Sequence, residues 1–179
     1  FAALTPAQVD ALSSDQVGAF TTTQIAALSA TALSALSTDD LGTFDVADIA
    51  AISVKSLSGL STGNFAQLTT EQVAALTTGQ VAGLTSGQIG ALTSDQLGAL
   101  GTDKIAVLSA TQVAALTTDN IAALETDQVT ALSEKVVRAL TTAQVQALTS
   151  EQIDVLTTSQ IANLSSQAVS GLTTGDIGT

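Results

Sequence analysis

An apolar residue returns every eight positions from Leu4 to Leu172 without a slip. Nineteen of these twenty-two residues are Leu, and the others are Phe20, Phe44 and Ile52. Five residues after each stands a second apolar residue, from Val9 to Ile177, which is Val or Ile in seventeen cases. This period outweighs every other feature, because whatever structure one octad adopts its neighbours must adopt too. The octad reads Leu-Thr-Thr-x-Gln-Val-Ala-Ala, as in Leu68 to Ala75. Twenty-two octads fill residues 4–179, and Phe1, Ala2 and Ala3 match the last three positions of an octad preceding them. Residues 1–179 are therefore read as a single repeat array without linker, insertion or second domain, and are expected to be a piece of a longer chain.

The octad states its own local structure. Its second position is Ser or Thr in nineteen octads, with Asp45, Gly101 and Glu125 as the departures. Ser, Thr, Asp and Gly are favoured helix N-caps, where a side-chain oxygen can accept from an otherwise unpaired backbone N–H. Three residues later comes Gln in twelve octads, including Gln8, Gln72, Gln96 and Gln152, which completes a capping box. The single proline, Pro6, falls just after the cap Thr5, where its missing N–H costs nothing. The Leu before each cap and the Val or Ile five further on stand where a hydrophobic staple needs them. Fourteen of the sixteen acidic residues lie in positions two to five, near the positive end of such a helix. Each octad therefore starts a helix.

These helices cannot merge into one rod. Eight residues at about 100° each leave the Leu stripe about 80° further round at every repeat, far more than a coiled coil absorbs. The hydroxyl pair in each octad also competes with continuous helix. The expected fold is all-α: a solenoid, or superhelix, of short helices of about five or six residues, one per octad. The competing architecture is a β-solenoid, since Thr, Val and Ile favour strands. Against it, anchors five residues apart would face opposite sides of one strand. Position eight, mostly Ala with Gly59, Gly83 and Gly171, is expected to let coils approach closely, while position seven, which holds Asp10, Arg138, Gln146 and Asp154, is expected to face water. Residues 28–67 are the least regular: Ala32, Asp40, Asp48, Ser56 and Asn64 replace Gln there, and Phe65 replaces Val or Ile. A bend or a partner contact is expected in that segment if anywhere.

Composition narrows the chemistry. With no His or Cys, the usual transition-metal sites and most nucleophile–base pairs cannot be built. Four basic residues against sixteen acidic ones argue against a nucleic-acid partner. No apolar run approaches the about 20 residues that span a bilayer, so no membrane insertion is expected. Asp39, Asp40, Asp45 and Asp48 form the densest acidic cluster, conceivable as a divalent-cation site but better read as charges at helix N-termini. A Ser-Lys dyad would need Lys55, Lys104 or Lys135, all at variable positions. The hydroxyl rows at position three, interrupted by Pro6, Ala30, Val46, Val54, Ala110 and Glu134, suit a tolerant surface better than an ice-binding lattice. The expectation is no catalytic, cofactor-binding or metal-binding residue, no cofactor and no enzyme.

The stretch Leu4-Thr-Pro-Ala-Gln-Val-Asp-Ala-Leu12 resembles the opening of TAL-effector repeats, but only over the capping box, and those repeats are longer and basic. Across its whole length, as in Leu68-Thr-Thr-Glu-Gln-Val-Ala-Ala75, the chain is similar to octapeptide arrays of large bacterial surface or secreted, adhesin-like proteins. That resemblance implies secretion to the cell surface and a structural role as stalk, filament or surface layer. Self-association is the expected partnership. The alternative is an adhesin-type solenoid that holds a carbohydrate or protein partner on its wall.

Overall fold

A computed structural model describes residues 1 and 3–170. The last octad, with its anchors Leu172 and Ile177, and Gly171 before it lie outside the described residues. Among the described residues the chain forms twenty-one helices, from α1 (Pro6–Asp10) to α21 (Ser166–Val169), one in each octad, and no strand. The all-α solenoid is thus the observed fold, and the β-solenoid is not.

Helix starts follow the caps. In α9 (Thr70–Ala74) the backbone of Thr69 is extended, its hydroxyl accepts from the Gln72 N–H, and the Gln72 side chain accepts from the Thr69 N–H. The same box opens α10 (Thr78–Gly83), α11 (Ser86–Gly90) and most other helices. Lengths run from four to six residues, slightly wider than the sequence suggests. Three of the four helices that are four residues long, α4 (Ala30–Leu33), α7 (Val54–Leu57) and α13 (Thr102–Ile105), have Ala32, Ser56 and Lys104 in place of the Gln and lack the box.

Nearly every helix packs against the helices three before and three after it, as α11 does against α8 (Thr62–Ala66) and α14 (Ala110–Ala114). One coil of the solenoid therefore takes slightly more than three octads. Residues 4–27 make the first coil, 28–51 the second, and so on. Packed helices lie about 8–10 Å apart, so each coil lengthens the solenoid by about that much. The core runs along the axis as one continuous cluster of position-one and position-six residues. Val73, Leu76, Val81 and Ile89 are all at most 1 % exposed.

Position seven is exposed in most described octads, as at Asp10, Arg138, Gln146 and Asp154. Position eight behaves less uniformly than expected. A Cβ on Gly59 would collide with the Ala30 carbonyl, and one on Gly83 with the Val54 side chain, so these two sites do need their small residues. Ala75, Ala91 and Ala131 are half-buried, whereas Ala11, Ala19 and Ala123 are exposed. The side chains that bond one coil to the next stand at position five.

Candidate functional site

The side chain at position five does two jobs. Its oxygen closes the local cap: the Thr85 N–H donates to Gln88 Oε1 at 3.0 Å. Its nitrogen reaches the previous coil, where Gln88 Nε2 donates to the carbonyls of Leu57 at 2.9 Å and Leu60 at 3.0 Å. These carbonyls stand 31 and 28 residues back. Gln72, Gln80, Gln112, Gln144, Gln152 and Gln160 repeat the pattern at the same two separations. The twelve polar side chains buried in the described residues are all at position five. Buried amides need partners, and in this setting each bond is strong because little water competes. The result is a ladder of side-chain amides parallel to the axis that clamps each coil from the third (52–75) onward to the one before it.

Substitutions within the ladder keep the donor. Ser56 Oγ donates to the Leu28 carbonyl at 2.6 Å, Asn64 Nδ2 to Leu36 at 2.7 Å and Asn120 Nδ2 to Leu92 at 3.2 Å. Lys104 Nζ donates to the Ala74 carbonyl at 2.6 Å. Val136 breaks the rule: it is buried, and Ser133 before it makes no side-chain cap bond. Replacing Val136 with Gln is expected to stabilise the array by about 1–2 kcal/mol. It would supply an acceptor for the Ser133 N–H and donors for the Ile105 and Leu108 carbonyls. Chemical denaturation followed by circular dichroism measures this, and a lowered midpoint would refute it.

The acidic cluster does not converge. Asp40 accepts from the Ser37 N–H at 2.9 Å and the Ser37 hydroxyl at 2.7 Å. Asp45 accepts from the Asp48 N–H at 2.9 Å, and Asp48 accepts from the Asp45 N–H at 3.2 Å. Each carboxylate thus serves the N-terminus of its own helix, and Asp39 is exposed. Among the described residues, no three His, Cys, Asp or Glu side chains are grouped to hold a metal ion. Lys55 and Lys135 are exposed, and the Lys104 ammonium is occupied by its carbonyl partner. Beside the cluster, at the start of α6 (Val46–Ala51), lies an open groove of about 290 Å³, lined by Gly42, Phe44, Asp45, Val46, Thr69, Glu71 and Gln72.

Two of these carboxyls titrate in opposite senses. Burial alone would raise the pKa of Asp40, but its hydrogen bonds from Ser37, with the Ser14 hydroxyl contributing, outweigh burial and hold it below the usual 3.8. For Asp48, burial prevails over the Asp45 N–H, the neighbouring Asp45 charge adds to it, and the pKa rises. A lowered folded-state pKa stabilises above the unfolded value and is lost as pH falls through the folded one. Asp40 therefore favours the fold above about pH 4, while Asp48, with the reverse sign, favours it on the acid side. The Asp40→Asn variant is expected to lose less stability between pH 5 and pH 2 than the parent. A melting-temperature series across that range decides, and an unchanged acid slope would contradict it.

The octad repeat agrees with what comparison of the chain with known families finds. The model of the ALTTAQ repeat matches residues 1–30, 43–78, 74–102, 94–126, 102–134, 121–158 and 137–166. The chain belongs to the ALTTAQ repeat family. No curated protein matches it. Residues 31–42, which fall between the matches, include Ala32 and Asp40, two ladder positions of this ALTTAQ array that hold neither Gln nor another amide. No helix among the described residues is long and apolar enough to cross a membrane.

Proposed function

We propose that this ALTTAQ array is a non-enzymatic, extracellular structural element, a stiff stalk or self-assembling filament on a bacterial cell surface. The supporting observation is the sameness of the coil-to-coil joint from the third coil onward: the amide ladder recurs with separations of 28 and 31 residues at Gln72, Gln80, Gln88, Gln112, Gln144, Gln152 and Gln160. A joint that is identical at each step can be extended indefinitely, as one-dimensional repeat proteins are. From the third coil onward it also resists bending, because each coil is clamped at two or more points around its circumference.

Small-angle scattering and electron microscopy of the purified chain test this reading. A rod-like scattering profile is expected, with fibres or lateral bundles in micrographs. A compact profile would refute the stalk, and a monodisperse solution without fibres would refute self-assembly. Antibody labelling of intact cells tests the location, and signal seen only after permeabilisation would refute it.

A second reading, an adhesin holding a carbohydrate or protein, draws its support from the groove beside Asp45 and Glu71 in the irregular stretch of the array. Binding on a glycan array that is lost on altering Thr69 and Glu71 would favour it over the purely structural role.

A further inference from the structure

We propose that the solenoid contains a built-in joint between its first coil (residues 4–27) and its second (28–51), the boundary at which it opens first. The inference rests on a gap in the amide ladder. Position five of the second coil holds Ala32, Asp40 and Asp48. Ala32 has no polar group, and the two carboxylates are engaged as acceptors at the caps of their own helices. None of the three donates to a first-coil carbonyl. By the 28- and 31-residue register, Leu4, Val9, Leu12, Val17 and Phe20 are the residues whose carbonyls go without that donor.

From Ser56 to Gln160, Val136 is the one position-five residue with no side-chain donor to the preceding coil among the described residues. Its ladder neighbours Gln128 and Gln144 both donate. A run of three missing rungs spans a whole circumference, so no side of this boundary carries the clamp. What remains is apolar stacking of α1 on α4, α2 (Ser14–Gly18) on α5 (Thr38–Gly42) and α3 (Thr22–Ala26) on α6, helped by the Ser14 hydroxyl at Asp40. Apolar contact is non-directional and permits sliding or tilting. Directed hydrogen bonds to two carbonyls do not. Regions with fewer such bonds open locally at lower free energy than the rest of a fold.

Hydrogen–deuterium exchange of the whole chain, read by mass spectrometry, tests the joint. Amides of residues 6–27 are expected to exchange together and faster than those of 53–160. In the triple variant Ala32→Gln/Asp40→Gln/Asp48→Gln their exchange should slow by at least about tenfold, the effect of one or two added net hydrogen bonds. Exchange of residues 6–27 that is unchanged in this variant would overturn the proposal. A second variant separates the joint from end fraying by placing a copy of residues 76–99, in register, immediately before Leu4. Gln8, Gln16 and Gln24 then have carbonyls to clamp. The added coil and residues 4–27 are expected to open as one unit, with the boundary still at the second coil. Retreat of fast exchange into the added coil alone would show that the terminus, not the missing rungs, sets it.

Discussion

Exchanging Gln88 for Leu is expected to cost about 2–6 kcal/mol of local stability. Gln88 is 1 % exposed, so water cannot replace what it does. The substitution strands two backbone groups at once, the Thr85 N–H and the Leu60 carbonyl, and takes from the Leu57 carbonyl its second donor beside the Leu60 N–H. Each buried group left unpaired costs about 1–3 kcal/mol, which outweighs the gain from burying a leucine of similar size. The Gln88→Glu variant dissects the effect, because a carboxylate still accepts at the cap but cannot donate across the coils. Helix content should then survive locally while the boundary with the preceding coil opens. Circular dichroism with hydrogen exchange reads both parts. If Gln88→Leu unfolds at the parent midpoint, the ladder is not what holds the coils together.

Phe65→Ala carries the other large effect, about 3–5 kcal/mol, from the cavity it leaves. Phe65 is completely buried and is the bulkiest fully buried side chain among the described residues. It stands where other octads hold Val, Ile or Leu, so its ring fills more of the core here than the octad usually does. A Phe65→Ile variant, matching the octad consensus, should recover most of the loss. Denaturant titrations of the three proteins check this, and near-equal stability of parent and Phe65→Ala would mean that the coil collapses around the gap. Because stability in stacked repeats is a local sum, either variant is expected to produce a broadened or two-step transition rather than a uniform shift.

The caps, the staple anchors and the one-helix-per-octad rule were legible in the sequence because they are local: residues three to five apart decide them. The ladder was not, because the capping box already gives Gln a complete local explanation. Seeing the second role requires the number of octads per turn, and that depends on how helices of this length pack, which no single octad states. One signal did point to it. Glu closes a capping box as well as Gln does, and the chain has four Glu, yet none stands at position five, where twelve Gln do. Ser56, Asn64, Lys104 and Asn120 there share a donor hydrogen and little else. The preference for donors over acceptors is the trace that the inter-coil bond leaves in the sequence. Position eight was legible only in part, for the related reason that its neighbours vary around the coil: Gly59 and Gly83 stand where coils approach closely, while Ala123 meets solvent.

The two-carbonyl grip of each amide has a consequence for how such arrays change in length. A duplication or loss of whole octads returns every Gln to a position-six and position-one carbonyl pair, so the clamp re-forms with a different copy of the same acceptors. Any change that is not a multiple of eight turns the amides away from those carbonyls across the coil boundary that contains it, because each amide reaches only 28 and 31 residues back. Copy number is thus a free variable and phase is not. Such a chain is a molecular ruler, graduated in octads, whose reach can be reset by unequal recombination without redesigning a single contact.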